Sequence, residues 1–119
     1  MPYTLPSPQP RAPDGTGTAR LQVTTFADPS PVVEIHGEID IFSAPGLRDE
    51  LLRVIRRHGP QLALDLAGVT FIDCAGVNVL LATRRRAGLE DGSVDVIGAS
   101  PRVRRVISLL SLEWAFGLW

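Results

Sequence analysis

The sequence predicts an α/β sandwich in which a mixed sheet of four or five strands carries helices mainly on one face. Two strand patterns come first, and three alternations of helix and strand follow them. Three cap signals, at Ser43, Asp73 and Ser100, stand just ahead of apolar stripes at helical spacing. Two adjacent strands favour antiparallel pairing, whereas helix crossovers favour parallel pairing, so one chain with both needs a mixed sheet.

Met1 to Thr18 hold half of the prolines together with Gly15 and Gly17 and have almost nothing to bury, so residues 1–18 read as a flexible Pro/Gly-rich leader rather than a docking arm. The ordered domain is expected to span 19–119. Leu21, Val23 and Thr25 alternate as a strand, and Asp28-Pro29-Ser30-Pro31 has hairpin-turn chemistry. In the second strand Val33, Ile35, Ile39 and Ile41 are expected on the core side. Glu34, His36, Glu38 and Asp40 face away, and Gly37 marks a bulge or a point of close approach.

Ser43 is the candidate N-cap of a helix in which Pro45 is tolerated and Leu47, Leu51, Val54 and Ile55 recur until Gly59-Pro60 stops it. Leu62, Leu64 and Leu66 form the next strand. A short Ala67-Gly68 turn then brings Val69, Phe71 and Ile72 back to the core. Asp73 is placed to cap a helix from Ala75 to Ala87 whose apolar face includes Val77, Leu80 and Leu81, with Gly88 as its left-handed end. Val94, Val96 and Ile97 read as the last strand, and Ser100-Pro101 opens a helix with Val103, Val106, Ile107 and Leu110 on one stripe.

Composition removes several function classes. Twelve basic residues against thirteen acidic ones give a net charge of −1, which is no footprint for nucleic acid. Every basic residue apart from the two histidines is arginine, so a P-loop lysine and a Schiff-base lysine are excluded. One cysteine allows neither an intrachain disulfide nor a cysteine-rich zinc site, and no apolar stretch is long enough to span a bilayer or act as a signal peptide. A cytoplasmic protein without cofactor or metal is expected. His36, Asp40, Ser43 and Cys74 supply nucleophile and base types, but no oxyanion motif or nucleophile elbow organises them, so no catalytic residue is assigned.

Gly37-Glu38-Ile39-Asp40, Asp73-Cys74-Ala75-Gly76 and Ser100-Pro101-Arg102-Val103 resemble, in order and spacing, the three signatures of STAS domains, especially those of the bacterial anti-sigma-factor antagonists. The match covers about Ala19 to Glu113. The resemblance implies a partner switch rather than an enzyme. The antagonist binds an anti-sigma factor, a serine-kinase-like ATPase, and so frees a sigma factor; phosphorylation just before the glycine of the D-x-x-G turn ends the binding. A phosphate there adds about −1.5 to −2 charges beside Asp73.

This chain departs from that pattern at the acceptor position, which is Ala75. The first expectation is an antagonist that phosphorylation at this position cannot turn off. A second makes Cys74 a thiol switch, although a small cysteine also substitutes for serine without redox chemistry and Asp73 opposes a thiolate. A third is a STAS accessory subunit of a transport or signalling complex. The family also implies that the loop after Asp40 lies beside the D-x-x-G turn, which gives a partner-binding face of Asp40, Ile41, Phe42, Ser43, Asp73, Cys74, Ala75 and Gly76. At the end of the sequence, 114–119 resembles the family's last short strand or turn, and the family's final helix is expected to be absent. Its aromatic residues either fold back or form a homodimer contact.

Overall fold

The computed structural model describes residues 15–17, 21–27 and 29–118. Its elements are β1 (Gly15–Gly17), β2 (Leu21–Phe26), β3 (Val32–Ile39), α1 (Ala44–His58), β4 (Gln61–Ile72), α2 (Cys74–Leu89), β5 (Ser93–Ala99), α3 (Pro101–Leu109) and α4 (Glu113–Phe116). The strands form one five-stranded sheet in chain order. β1, β2 and β3 pair antiparallel, and β3, β4 and β5 pair parallel. The mixed sheet is therefore as expected. Gly15–Gly17 joins it as an edge strand, although these residues fall within the stretch read as a leader; residues 1–14 lie outside the described residues, as does Asp28 of the expected hairpin turn.

Parallel neighbours must be joined by a crossover, which α1 and α2 supply. Both crossovers step the same way across the sheet and the hand is almost always right, so both helices land on one face. That face is the core. Leu21, Val23, Val33, Ile35, Ile39, Leu64 and Leu66 are buried there against Leu47, Leu51, Val54 and Leu80 of the helices. On the other face Gln22, His36 and Asp95 are exposed, and Glu34 and Asp65 are half-buried.

Bulges set which side chains reach the core. Gly37 has φ +108°, and the β3–β4 register shifts between Glu34 and His36 and again between Gly37 and Glu38, but the extra residues lie on β4 rather than at Gly37, where the bulge was expected. β4 is one strand of 12 residues with no turn at Ala67-Gly68, contrary to expectation. Between the pairs Glu34–Asp65 and His36–Gly68, and between Gly37–Val69 and Glu38–Phe71, β4 contributes one extra residue. Each extra residue flips the side-chain phase, so Leu66, Val69 and Ile72 are buried at intervals of three. Phe71 was expected in the core; the second flip leaves it 38% exposed, with the Arg102 guanidinium 5.9 Å from its ring centre.

Two of the helix ends follow the sequence. Gly59, with φ +97°, closes α1, and Ser100 Oγ accepts from Val103 N–H at 3.2 Å to cap α3. α2 runs through Gly88 to Leu89, and it is Asp91 that takes the left-handed conformation (φ 59°) while Gly92 N–H returns to Ala87 O at 2.8 Å. The C-terminal segment forms the short helix α4 rather than a strand or turn. Ala115 and Phe116 fold back into the core, and Trp114 stays exposed with the Arg84 guanidinium 5.1 Å from its ring centre.

Among the described residues one buried polar side chain lacks a partner. Thr25 is 1% exposed, and its hydroxyl makes no hydrogen bond. Thr25→Val keeps the shape and removes the desolvated hydroxyl, so urea denaturation is expected to show a gain of about 1 kcal/mol in unfolding free energy.

Candidate functional site

The parallel pairing of β3 with β4 brings the C-terminal ends of both strands to one edge of the fold. Ile39 pairs with Ile72, and the Asp73 N–H donates to Ile39 O at 3.2 Å, so the ladder closes one residue beyond the strand. The segments that follow, 40–43 and 73–76, leave this edge together.

Asp40 holds the first of them. Its Oδ1 accepts from Phe42 N–H at 2.9 Å and from Ser43 N–H at 3.0 Å, while Ser43 Oγ accepts from Asp40 N–H at 3.0 Å. This reciprocal pair has the logic of a capping box, with Asp40 as the cap and Ser43 at its third position. Ala44 N–H also donates to Asp40 O at 2.8 Å, as a first helical turn requires. Ser43 immediately precedes α1, yet its side chain does not cap the helix amides, contrary to expectation; its hydroxyl instead donates back to Glu38 O at 2.8 Å.

This locked turn decides what is exposed. Asp40 was expected on the outward side of a strand, but β3 ends at Ile39 and Asp40 is 7% exposed beneath the turn it organises. Ile41 was expected in the core; beyond the strand the alternation no longer applies, and Ile41 is 65% exposed. Phe42 is 82% exposed.

Asp73 caps α2 as expected, its Oδ1 accepting from Gly76 N–H at 3.1 Å. Gly76 is buried at the point where α2 meets the sheet. A Cβ there would lie 2.7 Å from Ile39 Cγ2, 2.8 Å from Ile72 Cγ1 and 3.0 Å from Ile39 O, so the helix approaches this closely only because the residue is glycine. Cys74 is exposed on the first turn, and Ala75 is half-buried against the core.

Ile41 and Ala75 meet across an open groove of about 580 Å³, whose other walls include Pro45, Arg48, Leu52 and Val79. The groove walls on α1 and α2 were missed from the sequence. Their signal was the Arg48/Leu52 spacing of four on the outer side of α1, which the turn motif overshadowed.

Among the described residues no group of three or more histidine, cysteine, aspartate or glutamate side chains could hold a metal. His36 lies on the open sheet face 3.7 Å from Glu34, Asp40 Oδ1 accepts from two backbone N–H groups, and the Ser43 hydroxyl is engaged by Glu38 O and Asp40 N–H. The geometry is a hydrogen-bonded, partly apolar surface. No helix among the described residues is long and apolar enough to cross a membrane.

Known proteins share these features. The family model described as "Mlab, STAS domain" matches residues 23–115. The anti-sigma-B factor antagonist of Bacillus subtilis (strain 168) is 32% identical over 81 residues, covering 68% of this chain and 73% of that protein. The anti-sigma-F factor antagonist RsfB of Mycobacterium tuberculosis (strain H37Rv) is 31% identical over 88 residues, with 74% and 71% covered. The crystal structure of an anti-sigma factor antagonist from Mycobacterium paratuberculosis superposes with a TM-score of 0.71 at 33% identity, covering 81% of this chain and 82% of that one. With its mixed sheet, its Asp73-capped turn and these relatives, the chain belongs to the STAS domain family of anti-sigma-factor antagonists.

Proposed function

We propose that this protein binds an anti-sigma factor of the serine-kinase type through residues 40–43 and 73–76, and so frees a cytoplasmic sigma factor. The observation that carries this reading is the exposed pair Ile41 and Phe42, held on a hydrogen-bonded turn beside the Asp73-Cys74-Ala75-Gly76 turn. An aromatic side chain on a turn that is already ordered loses little conformational freedom on docking, which suits an interface anchor. The relatives named as anti-sigma-B and anti-sigma-F factor antagonists support the class of partner.

Control differs from the family's usual device. Ala75 offers no oxygen for a phosphate, and Ser43, the hydroxyl on the same face, is engaged by Glu38 O and Asp40 N–H. The complex is therefore regulated by abundance or localisation rather than by phosphorylation of this turn.

Affinity capture from the native cytoplasm, with and without ATP, is expected to recover a kinase-like anti-sigma factor; recovery of a transporter ATPase in its place would favour an accessory subunit and overturn this reading. After incubation of the complex with ATP, intact-mass measurement should find the chain unmodified, whereas Ala75→Ser should gain one phosphate and bind at least about 100-fold more weakly once modified. Phe42→Ala should cost about 2 kcal/mol of binding free energy by calorimetry with an unchanged melting temperature. Asp40→Ala should weaken binding and also lower folding stability by about 1 kcal/mol, because it removes the cap that shapes the turn.

A further inference from the structure

α2 has an unusual outer surface for a helix that packs on a sheet. Between residues 74 and 82 its one polar side chain is Asn78. A helix so nearly apolar all round is normally covered on every side. Here Ala75, Leu81 and Ala82 are only half-buried, and farther along Leu89 is 77% exposed.

The groove that begins at Ile41 and Ala75 runs along this surface. A second depression of about 200 Å³, walled by Ala82, Arg85 and Leu89, shares Arg48 and Leu52 with the first, so the two form one furrow between α1 and α2. From Ala75 to Leu89 the furrow follows α2 for about 21 Å at the helical rise per residue, the length of about four helical turns. Its charge is one-sided. Arg48 and Arg85 are exposed on its rim and enter no ion pair among the described residues; Arg86 is paired with Glu90 at 2.6 Å, and Asp49 is the one acid among its walls.

We infer that this furrow seats an amphipathic helix of the anti-sigma factor, with its apolar face on Leu52, Ala82 and Leu89 and its aspartate or glutamate flank against Arg48 and Arg85. The inference rests on the proposed function and extends it from the turn to the helix pair. The apolar floor accounts for the unfinished cover of α2, and the unpaired guanidinium groups select an acidic flank over a basic one.

The test uses the full chain and the anti-sigma factor recovered by affinity capture. Binding is titrated from about 50 to 300 mM sodium chloride for the unsubstituted chain, for Arg48→Glu/Arg85→Glu and for Phe42→Ala, and circular dichroism melting confirms that each variant is folded. The double charge reversal is expected to weaken binding about 30-fold at the lowest salt and to flatten the salt dependence. Leu52→Asp should weaken it by a similar factor at every salt concentration, a loss that lost charge attraction alone would not give. If Phe42→Ala weakens binding while both furrow variants stay within about twofold of the unsubstituted chain, the helix site is wrong and the proposed function stands. If neither Phe42→Ala nor the furrow variants change the affinity, or no anti-sigma factor is recovered, both fall.

Discussion

The parallel seam between β3 and β4 is the constraint on which the rest of this protein depends. Its last rung joins Ile39 to Ile72, and the Asp73 N–H then bonds Ile39 O. That bond fixes where one strand stops and where the next helix starts. Gly76 completes the arrangement, because any larger residue would press on Ile39 and Ile72 and push the first turn of α2 away from the sheet. Two chain segments distant in sequence are thereby held at one edge by backbone geometry, before any side chain on the surface is considered.

Each segment then carries its own local lock. Asp73 closes the first turn of α2 by accepting from Gly76 N–H, and Asp40 closes the turn before α1 by accepting from two amides while Ser43 answers from the other side. A cap of either kind contributes about 1 kcal/mol of stability, but its larger consequence here is geometric. With Asp40 turned inward, Ile41 and Phe42 have no core to enter and stand in solvent. The exposed apolar pair thus follows from a buried acid, and it is displayed on a hydrogen-bonded turn.

The bulges play the corresponding part within the sheet. β4 is buried at Leu62, Leu64 and Leu66 with a period of two, and then at Val69 and Ile72 with intervals of three. A strand that kept its period through residues 67–72 would have turned Gly68 and Thr70 to the core in place of Val69. The two extra residues put Val69 in the core and move the register so that Ile39 pairs with Ile72 rather than Thr70, and so they allow the seam to end as it does. In the sequence this change of phase resembles a turn, because Ala67-Gly68 interrupts the alternation. Pairing of Gly68 and Val69 with His36 and Gly37 of β3 keeps the backbone extended there.

The sequence by itself determined the class of fold, the order of strands and helices, the caps at Asp73 and Ser100, and the missing hydroxyl at Ala75. These are local properties: periodicity, N-cap chemistry and the identity of one side chain are set by neighbours a few residues away. The family motifs also identified the residues of the candidate face, since their spacing is linear. The tertiary structure alone decided that Asp40 rather than Ser43 is the cap before α1, that Ile41 and Phe42 face outward, that β4 is unbroken, and that a furrow joins the turn to the outer sides of α1 and α2. Each of these depends on how segments far apart in the chain meet, such as Ile39 and Asp73 at the end of the seam, β3 beside the second half of β4, and Arg48 opposite Arg85. Exposure is a property of what the rest of the fold leaves uncovered, and no periodicity read along one segment contains it.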